Sequence, residues 1–207
     1  LDKMFVLGDS ISIDYGVYLE KMLESELMYD RKKDQYAINE NQDLPNAMRG
    51  ANGGDSGMVL QYLSYLVSNR LFNHSILLLN CGLHDIKRNP STGELQVPLE
   101  QYEANLQDIL QLMQPLPVRI IWVRTTPVDD AIHEEQIKKF VRYNRDVIHY
   151  NEVADRIMEA AGVKTIDLYR FTQKLGDSKM LFCDHVHYVP QIQKQQAAFI
   201  AGYLHNN

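Results

Sequence analysis

The 207-residue chain has little cysteine, no long apolar run and no surplus of basic charge. Two cysteines, Cys81 and Cys183, are too few for a disulfide framework, so reduced thiols are the expected state. The longest apolar stretches, such as SILLLN at 75–80, fall far short of the roughly 20 residues that a membrane-spanning helix needs. A formal net charge of −6, with acids and bases interspersed, leaves no basic stripe to neutralise a phosphate backbone, so nucleic acid is excluded as a partner. Internal repeats and low-complexity tracts are also missing. A soluble protein is expected, either cytoplasmic or exported after removal of a signal these residues do not include, and its oligomeric state stays open.

What is present is the patterning of one domain spanning 1–207, long enough to bury a full core. Strand-length apolar runs recur at 3–7, 75–80, 118–123 and 163–167, each apolar on both faces as buried parallel strands are. Between them, 55–71, 98–113 and about 133–161 repeat apolar residues at spacings of three and four, as helices covering a sheet do. The alternation predicts an α/β fold: a three-layer α/β/α sandwich around a flavodoxin-like, mostly parallel sheet of about five strands, with a weaker strand in the 35–50 region. The polar segment 31–46 reads as a surface excursion.

Sites in open α/β sheets form beyond the carboxyl ends of the strands, and four stretches stand at such places. VLGDSISIDYG at 6–16 runs from a strand through Asp9 and Ser10 into a helical pattern. Ser10 there can be a helix cap, or a nucleophile whose own N–H lies at a positive helix end. RGANGGDSGMVL at 49–60 sets Gly53 and Gly54 before Asp55, Ser56 and a helix, a glycine turn that also lets backbone approach a ligand. LNCGLHDIKR at 79–88 presents His84 and Asp85 just after a strand. FCDHVHYVP at 182–190 puts Asp184 three residues before His187, a spacing at which a carboxylate can orient an imidazole or simply bond turn N–H groups.

Taken in this order, the four stretches resemble the SGNH/GDSL hydrolases. GDS at 8–10 is similar to the nucleophile block, Gly54 to the glycine block and DHVH at 184–187 to the closing Asp-x-x-His block, while GLHD at 82–85 stands where the family usually has Gly-x-Asn-Asp. The resemblance implies a serine esterase with Ser10 as nucleophile, His187 as general base and acid, and Asp184 orienting His187. Its oxyanion hole would comprise the N–H groups of Ser10 and Gly54 plus a side-chain donor, here His84. Nδ1 of histidine and the amide nitrogen of asparagine are both three bonds from Cα, so His84 can replace asparagine if its proton faces the oxyanion. Asp85 and Asp55 are the candidates to set that tautomer, and Asp9 and Asp85 are supporting residues.

The same resemblance implies a small-molecule or saccharide ester as substrate and neither cofactor nor metal, and the lack of a long apolar lid to hold a fatty chain favours a short acyl group, acetate on a sugar. Lipid ester or thioester hydrolysis is the alternative within the family. Two alternatives lie outside it: a non-catalytic carbohydrate-binding domain on this fold, and a metal-dependent hydrolase built on His84, Asp184, His185 and His187. The G-x-S-x-G elbow of α/β-hydrolases and the H-E-x-x-H zinc motif are both absent. Cys81 and Cys183 flank the third and fourth stretches and would approach each other if these meet, with buried free thiols as the default. The loop 87–96 is a candidate saccharide rim.

Overall fold

The computed structural model describes residues 1–33 and 46–206. Its five strands form one parallel sheet in the order β2-β1-β3-β4-β5. They are β1 (Asp2–Leu7), β2 (Leu27–Arg31), β3 (Ile76–Leu79), β4 (Arg119–Val123) and β5 (Lys164–Ile166). The four apolar runs all become strands. Central β3 is buried at every residue, because helices cover both faces of a parallel sheet. Helix α1 (Ser10–Leu23) packs on α8 (Pro190–His205), which also meets α6 (Leu168–Gln173). Helix α2 (Ser56–Ser68) packs on α3 (Leu99–Met113), and α3 on α5 (Asn144–Ala160). These two groups are the outer layers of the expected three-layer α/β fold.

One expectation lies mostly outside the described residues and another needs correction. A strand that the apolar runs do not mark, β2, stands at Leu27–Arg31, while the weaker strand expected in the 35–50 region cannot be placed. Of that range, 35–45 lies outside the described residues, and Asn46–Met48 is a turn of 3₁₀-helix. As an edge strand β2 is only half-buried, which hides it from a search for continuous apolar runs. The single helix expected over 133–161 is two, α4 (Asp130–Gln136) and α5. Between them the chain extends, and Val141 and Arg88 exchange backbone hydrogen bonds of 3.0 and 2.8 Å, so the segment serves as a strap on the loop after β3. Short α7 (Ser178–Leu181) precedes the DHVH turn. Among the described residues no helix is long and apolar enough to cross a membrane.

The parallel register brings the carboxyl ends of β1 and β3 together, with Leu7 opposite Leu79. Gly8–Ser10 and Gly82–Asp85 therefore leave the sheet side by side. The glycine loop is fastened to them where Gly53 N–H donates to Gly8 O at 2.8 Å. A Cβ on Gly53 would stand 3.0 Å from that oxygen, so the clamp requires glycine.

Candidate active site

Asp9 caps α1: its Oδ1 accepts the Ile11 N–H at 3.0 Å and its backbone C=O accepts the Ser12 hydroxyl at 2.6 Å. The cap starts the helix at Ser10, whose N–H has no partner among the described residues and sits at the positive helix end. Burial raises the Asp9 carboxyl above its usual range, against the opposing pull of its cap bonds and of the Arg142 charge.

Across from it, the turn after α7 folds on Asp184. Asp184 Oδ1 accepts the N–H groups of Val186 and His187 at 2.8 and 2.7 Å, and its Oδ2 stands 2.6 Å from His187 Nδ1. His187 Nε2 then lies 2.7 Å from Ser10 Oγ. Partial burial works against the Asp184 charge, but the bonds from His187 and Val186 outweigh it and hold the carboxyl at about 2. An ionised Asp184 accepts the Nδ1 proton, which leaves Nε2 free to take the proton of Ser10. Three residues separated by up to 177 positions thus form one hydrogen-bonded line.

The third and second stretches are locked to each other by Asp85. This buried carboxylate accepts the Ser56 N–H on both oxygens, at 2.9 and 3.1 Å, and the Ser56 hydroxyl in a short bond. Burial pushes Asp85 up to about 7, with the Ser56 bonds pulling the other way. Asp55 caps α2 through the Met58 N–H at 2.9 Å and accepts Gln96 Nε2 at 2.7 Å. Neither acid hydrogen-bonds His84, contrary to expectation, because both are occupied in holding loops to α2.

The partner of His84 is Lys87, whose Nζ lies 3.1 Å from His84 Nδ1. An ammonium has no lone pair, so Nδ1 must be the acceptor and the proton of neutral His84 sits on Nε2. Burial, with the Lys87 and Arg142 charges, depresses His84 to about 3, so the ring is neutral at any working pH. The nitrogen that the sequence picks out as donor is therefore an acceptor, and Nε2–H is the group left to donate.

Gly54 has a partner that its stretch does not suggest. Its φ of +74° is the left-handed region that favours glycine, and a Cβ there would stand 2.5 Å from Met58 Sδ. Its N–H, expected to face a ligand, donates instead to Asn52 Oδ1 at 2.9 Å. An oxyanion would have to share or replace that acceptor. The cysteines do not pair: Cys81 is buried and Cys183 is exposed, both with free thiols. Among the described residues no group of three or more His, Cys, Asp or Glu side chains is arranged to hold a metal ion. In the group His84, Asp184, His185 and His187, both ring nitrogens of His187 face Asp184 and Ser10.

Sequence reasoning missed Lys87, Arg142, Asp14 and Asn52. Asp14, one helical turn after Ser10, lies close enough to His187 and Asp184 for both charges to act on it. Arg142 donates from Nε to Leu83 O at 2.6 Å beside His84. Only Lys87 left a usable signal, since a cation three residues after a histidine on a tight turn can reach its ring.

The fold has known counterparts, and a family model for the GDSL-like lipases and acylhydrolases matches residues 4–200. The chain belongs to that family. The isoamyl acetate-hydrolyzing esterase 1 homolog of Homo sapiens is 26% identical over 117 residues, which cover 53% of this chain and 47% of that protein. The chain thus spans about half the length of the curated relatives it matches. Among solved GDSL-type structures, the lipase/acylhydrolase of Enterococcus faecalis superposes with a TM-score of 0.69 at 14% identity, covering 100% of this chain and 96% of that one. An acetylxylan esterase from Geobacillus stearothermophilus gives 0.67 at 18% identity, covering 99% and 93%. At such identities the structural likeness is one of fold and bears out the α/β reading, while the family model bears out the SGNH/GDSL resemblance.

Proposed function

We propose that the chain is a serine esterase that removes a short acyl group, an O-acetyl carried on a saccharide, through an acyl-enzyme intermediate on Ser10. The observation that carries the reading is the line Ser10 Oγ, His187 Nε2, His187 Nδ1, Asp184 Oδ2, with gaps of 2.7 and 2.6 Å at its two hydrogen bonds. Ser10 Oγ attacks the ester carbonyl as its proton passes to His187 Nε2. The imidazolium is stabilised by ionised Asp184, and the oxyanion is met by the Ser10 N–H and by His84 Nε2–H, with Gly54 N–H as a third donor once Asn52 yields it. Collapse expels the alcohol, which takes the proton from His187. Water then attacks the acyl-Ser10 carbonyl as His187 accepts its proton, and collapse releases the carboxylic acid while His187 returns that proton to Ser10 Oγ.

The acetyl-saccharide assignment draws on an acetylxylan esterase among the structural neighbours and on the polar loop 87–96 beside His84. The test is hydrolysis of p-nitrophenyl acetate and of acetylated oligosaccharides by the wild type and by Ser10→Ala, with an organophosphonate probe as a label. Hydrolysis above the Ser10→Ala rate, and labelling abolished in that variant, are the expected results. Labelling that persists at another serine overturns the nucleophile, and a full-length ester panel without turnover favours a binding domain.

A further inference from the structure

Unpaired cations gather next to the site, and the catalytic line does not use them. Arg142 is 4% exposed, yet among the described residues no carboxylate forms an ion pair with it, whereas Arg88 and Arg124 are both paired with acids. Buried Asp9 lies close enough for the two charges to act on each other, but without an ion-pair contact, and an arginine this buried is rarely left without one. Its Nε bonds Leu83 O, and its Nη1 stands 3.5 Å from His133 Nε2. Nη2 has no hydrogen-bond partner among the described residues and is not among the buried polar atoms sealed from solvent. The Phe140 ring carries two cations, Arg142 Cζ at 4.9 Å and Lys87 Nζ at 4.9 Å.

Lys87 and Phe140 also form part of the wall of an open cavity of about 420 Å³, together with Lys139, Asn89, Glu94 and Gln96. Two wall residues touch the site through bonds already described: Lys87 to His84, and Gln96 to the Asp55 that caps α2 beside Gly54. Lys139 has no ion-pair partner among the described residues. Arg88, also in the wall, is neutralised by Asp146, with bonds of 2.7 and 2.8 Å. The acids facing this group are Glu94 in the wall, Asp55 at its inner end and buried Asp9, none of which pairs with Lys87, Lys139 or Arg142. Polar walls and unpaired cations suit an anion better than an acyl chain.

We infer that this cavity is an anion subsite: the alcohol part of the ester carries a carboxylate, phosphate or sulfate whose charge Lys87 and Lys139 meet and Arg142 supports across the Phe140 ring. The inference rests on the esterase reading and narrows its substrates to esters of acidic alcohols, an acidic saccharide among them. A neutral alcohol leaves the cations with only the distant charges of Asp9 and Asp55, while an anion bound there holds the acyl carbonyl near Ser10.

The test compares phenol release from 4-acetoxybenzoate and from its neutral methyl ester, for wild type, Lys139→Glu and Arg142→Gln. The ratio of the two kcat/KM values should fall roughly three- to tenfold in Lys139→Glu, the scale of a reversed charge at a partly exposed rim. Added salt should slow only the anionic ester. Lys139 is exposed, so this variant keeps the test open if Arg142→Gln does not fold. A ratio that stays within twofold of wild type, with no salt effect, overturns the subsite. 4-Acetoxyphenyl phosphate and sulfate, run alongside, identify the preferred anion. Calorimetric titration of Ser10→Ala with 4-hydroxybenzoate and its methyl ester separates the two readings. Tighter binding of the anion without hydrolysis in the wild type would sink the esterase and keep the subsite, whereas equal affinity, or none for the anion, removes the subsite alone.

Discussion

Lys87 Nζ stands 3.1 Å from His84 Nδ1 and thereby decides which nitrogen of His84 can donate. An asparagine at this position carries its donors on one atom and needs no such partner. A histidine has two alternative tautomers, so replacing asparagine by His84 brings a second requirement, which Lys87 fulfils from three residues along the same turn. On the proposed mechanism Lys87 and His84 therefore act as one unit rather than as two independent side chains.

That coupling is measurable with p-nitrophenyl acetate, a neutral ester. Lys87→Met in the wild-type background should lower kcat roughly three- to tenfold, short of the roughly 10²-fold expected for losing an oxyanion donor outright in His84→Ala. His84→Asn should keep much of the activity, and in that background Lys87→Met should cost nothing further. The double-mutant cycle gives the coupling directly. Equal losses in both backgrounds would show that Lys87 acts through something other than the His84 tautomer.

The pH behaviour follows from burial. With His84 at about 3 and Asp184 at about 2, neither changes charge between pH 4 and 9. The acid limb of log kcat/KM should have a slope of one and should sit at the same pH in His84→Asn. A slope of two would mean that a second group titrates. Stability carries the complementary sign: the unfolded chain protonates His84 near 6.5 while the folded chain refuses that proton until about 3. Folding is therefore weakened as pH falls from about 6.5 toward 3, and His84→Asn should reduce that slope in denaturant titrations.

The strands and the four stretches could be read from residue types because each is local: a short apolar run, a glycine pair, a carboxylate three residues before a histidine. The edge strand β2 and the break between α4 and α5 could not, since both depend on partners far along the chain. Val141 leaves the helix to pair with Arg88, across more than 50 positions, and no periodicity encodes that. The site divides in the same way. Ser10, Asp184 and His187 were legible by motif, whereas the roles of Asp85 and of His84 Nδ1 turn on Ser56 and Lys87, and those contacts exist only once the loops meet.

Gly54→Ala tests the glycine loop. An alanine at φ +74° carries left-handed strain of about 1 kcal/mol, and its Cβ would press on Met58 as well. Unfolding should occur at lower denaturant, and kcat on p-nitrophenyl acetate should fall because a displaced N–H can no longer pass from Asn52 to the oxyanion. Met58→Ala combined with Gly54→Ala should recover part of the stability and none of the kcat. Recovery of both would make the loop a packing element alone.

The thiols give a direct check on the arrangement around the site. Cys183 is exposed and Cys81 buried, so a thiol reagent should modify one cysteine in the native protein and two after denaturation. Burial raises both thiols, Cys81 the more strongly, so labelling of Cys183 should be slow at neutral pH. A mass shift of two hydrogens on reduction would instead reveal a disulfide and contradict the separation of the two loops.

The last prediction concerns how the cavity wall is held. Arg88 grips buried Asp146 of α5 with Nε and Nη2, at 2.7 and 2.8 Å, while its Nη1 donates to Gly93 O at 2.8 Å. One side chain thus ties the loop 87–96 to a helix and closes the loop on itself. A bidentate pair with a buried carboxylate is among the stronger surface-proximal interactions, and removing one partner strands the other. Asp146→Ala should cost roughly 1–3 kcal/mol in denaturant unfolding, and protease should cut within 87–96 faster than in the wild type. Because Ser10, His187 and Asp184 lie on other loops, kcat on p-nitrophenyl acetate should change much less than KM for any larger ester that reaches the cavity. A large drop in kcat with KM unchanged would place the strap in the chemistry instead of the wall.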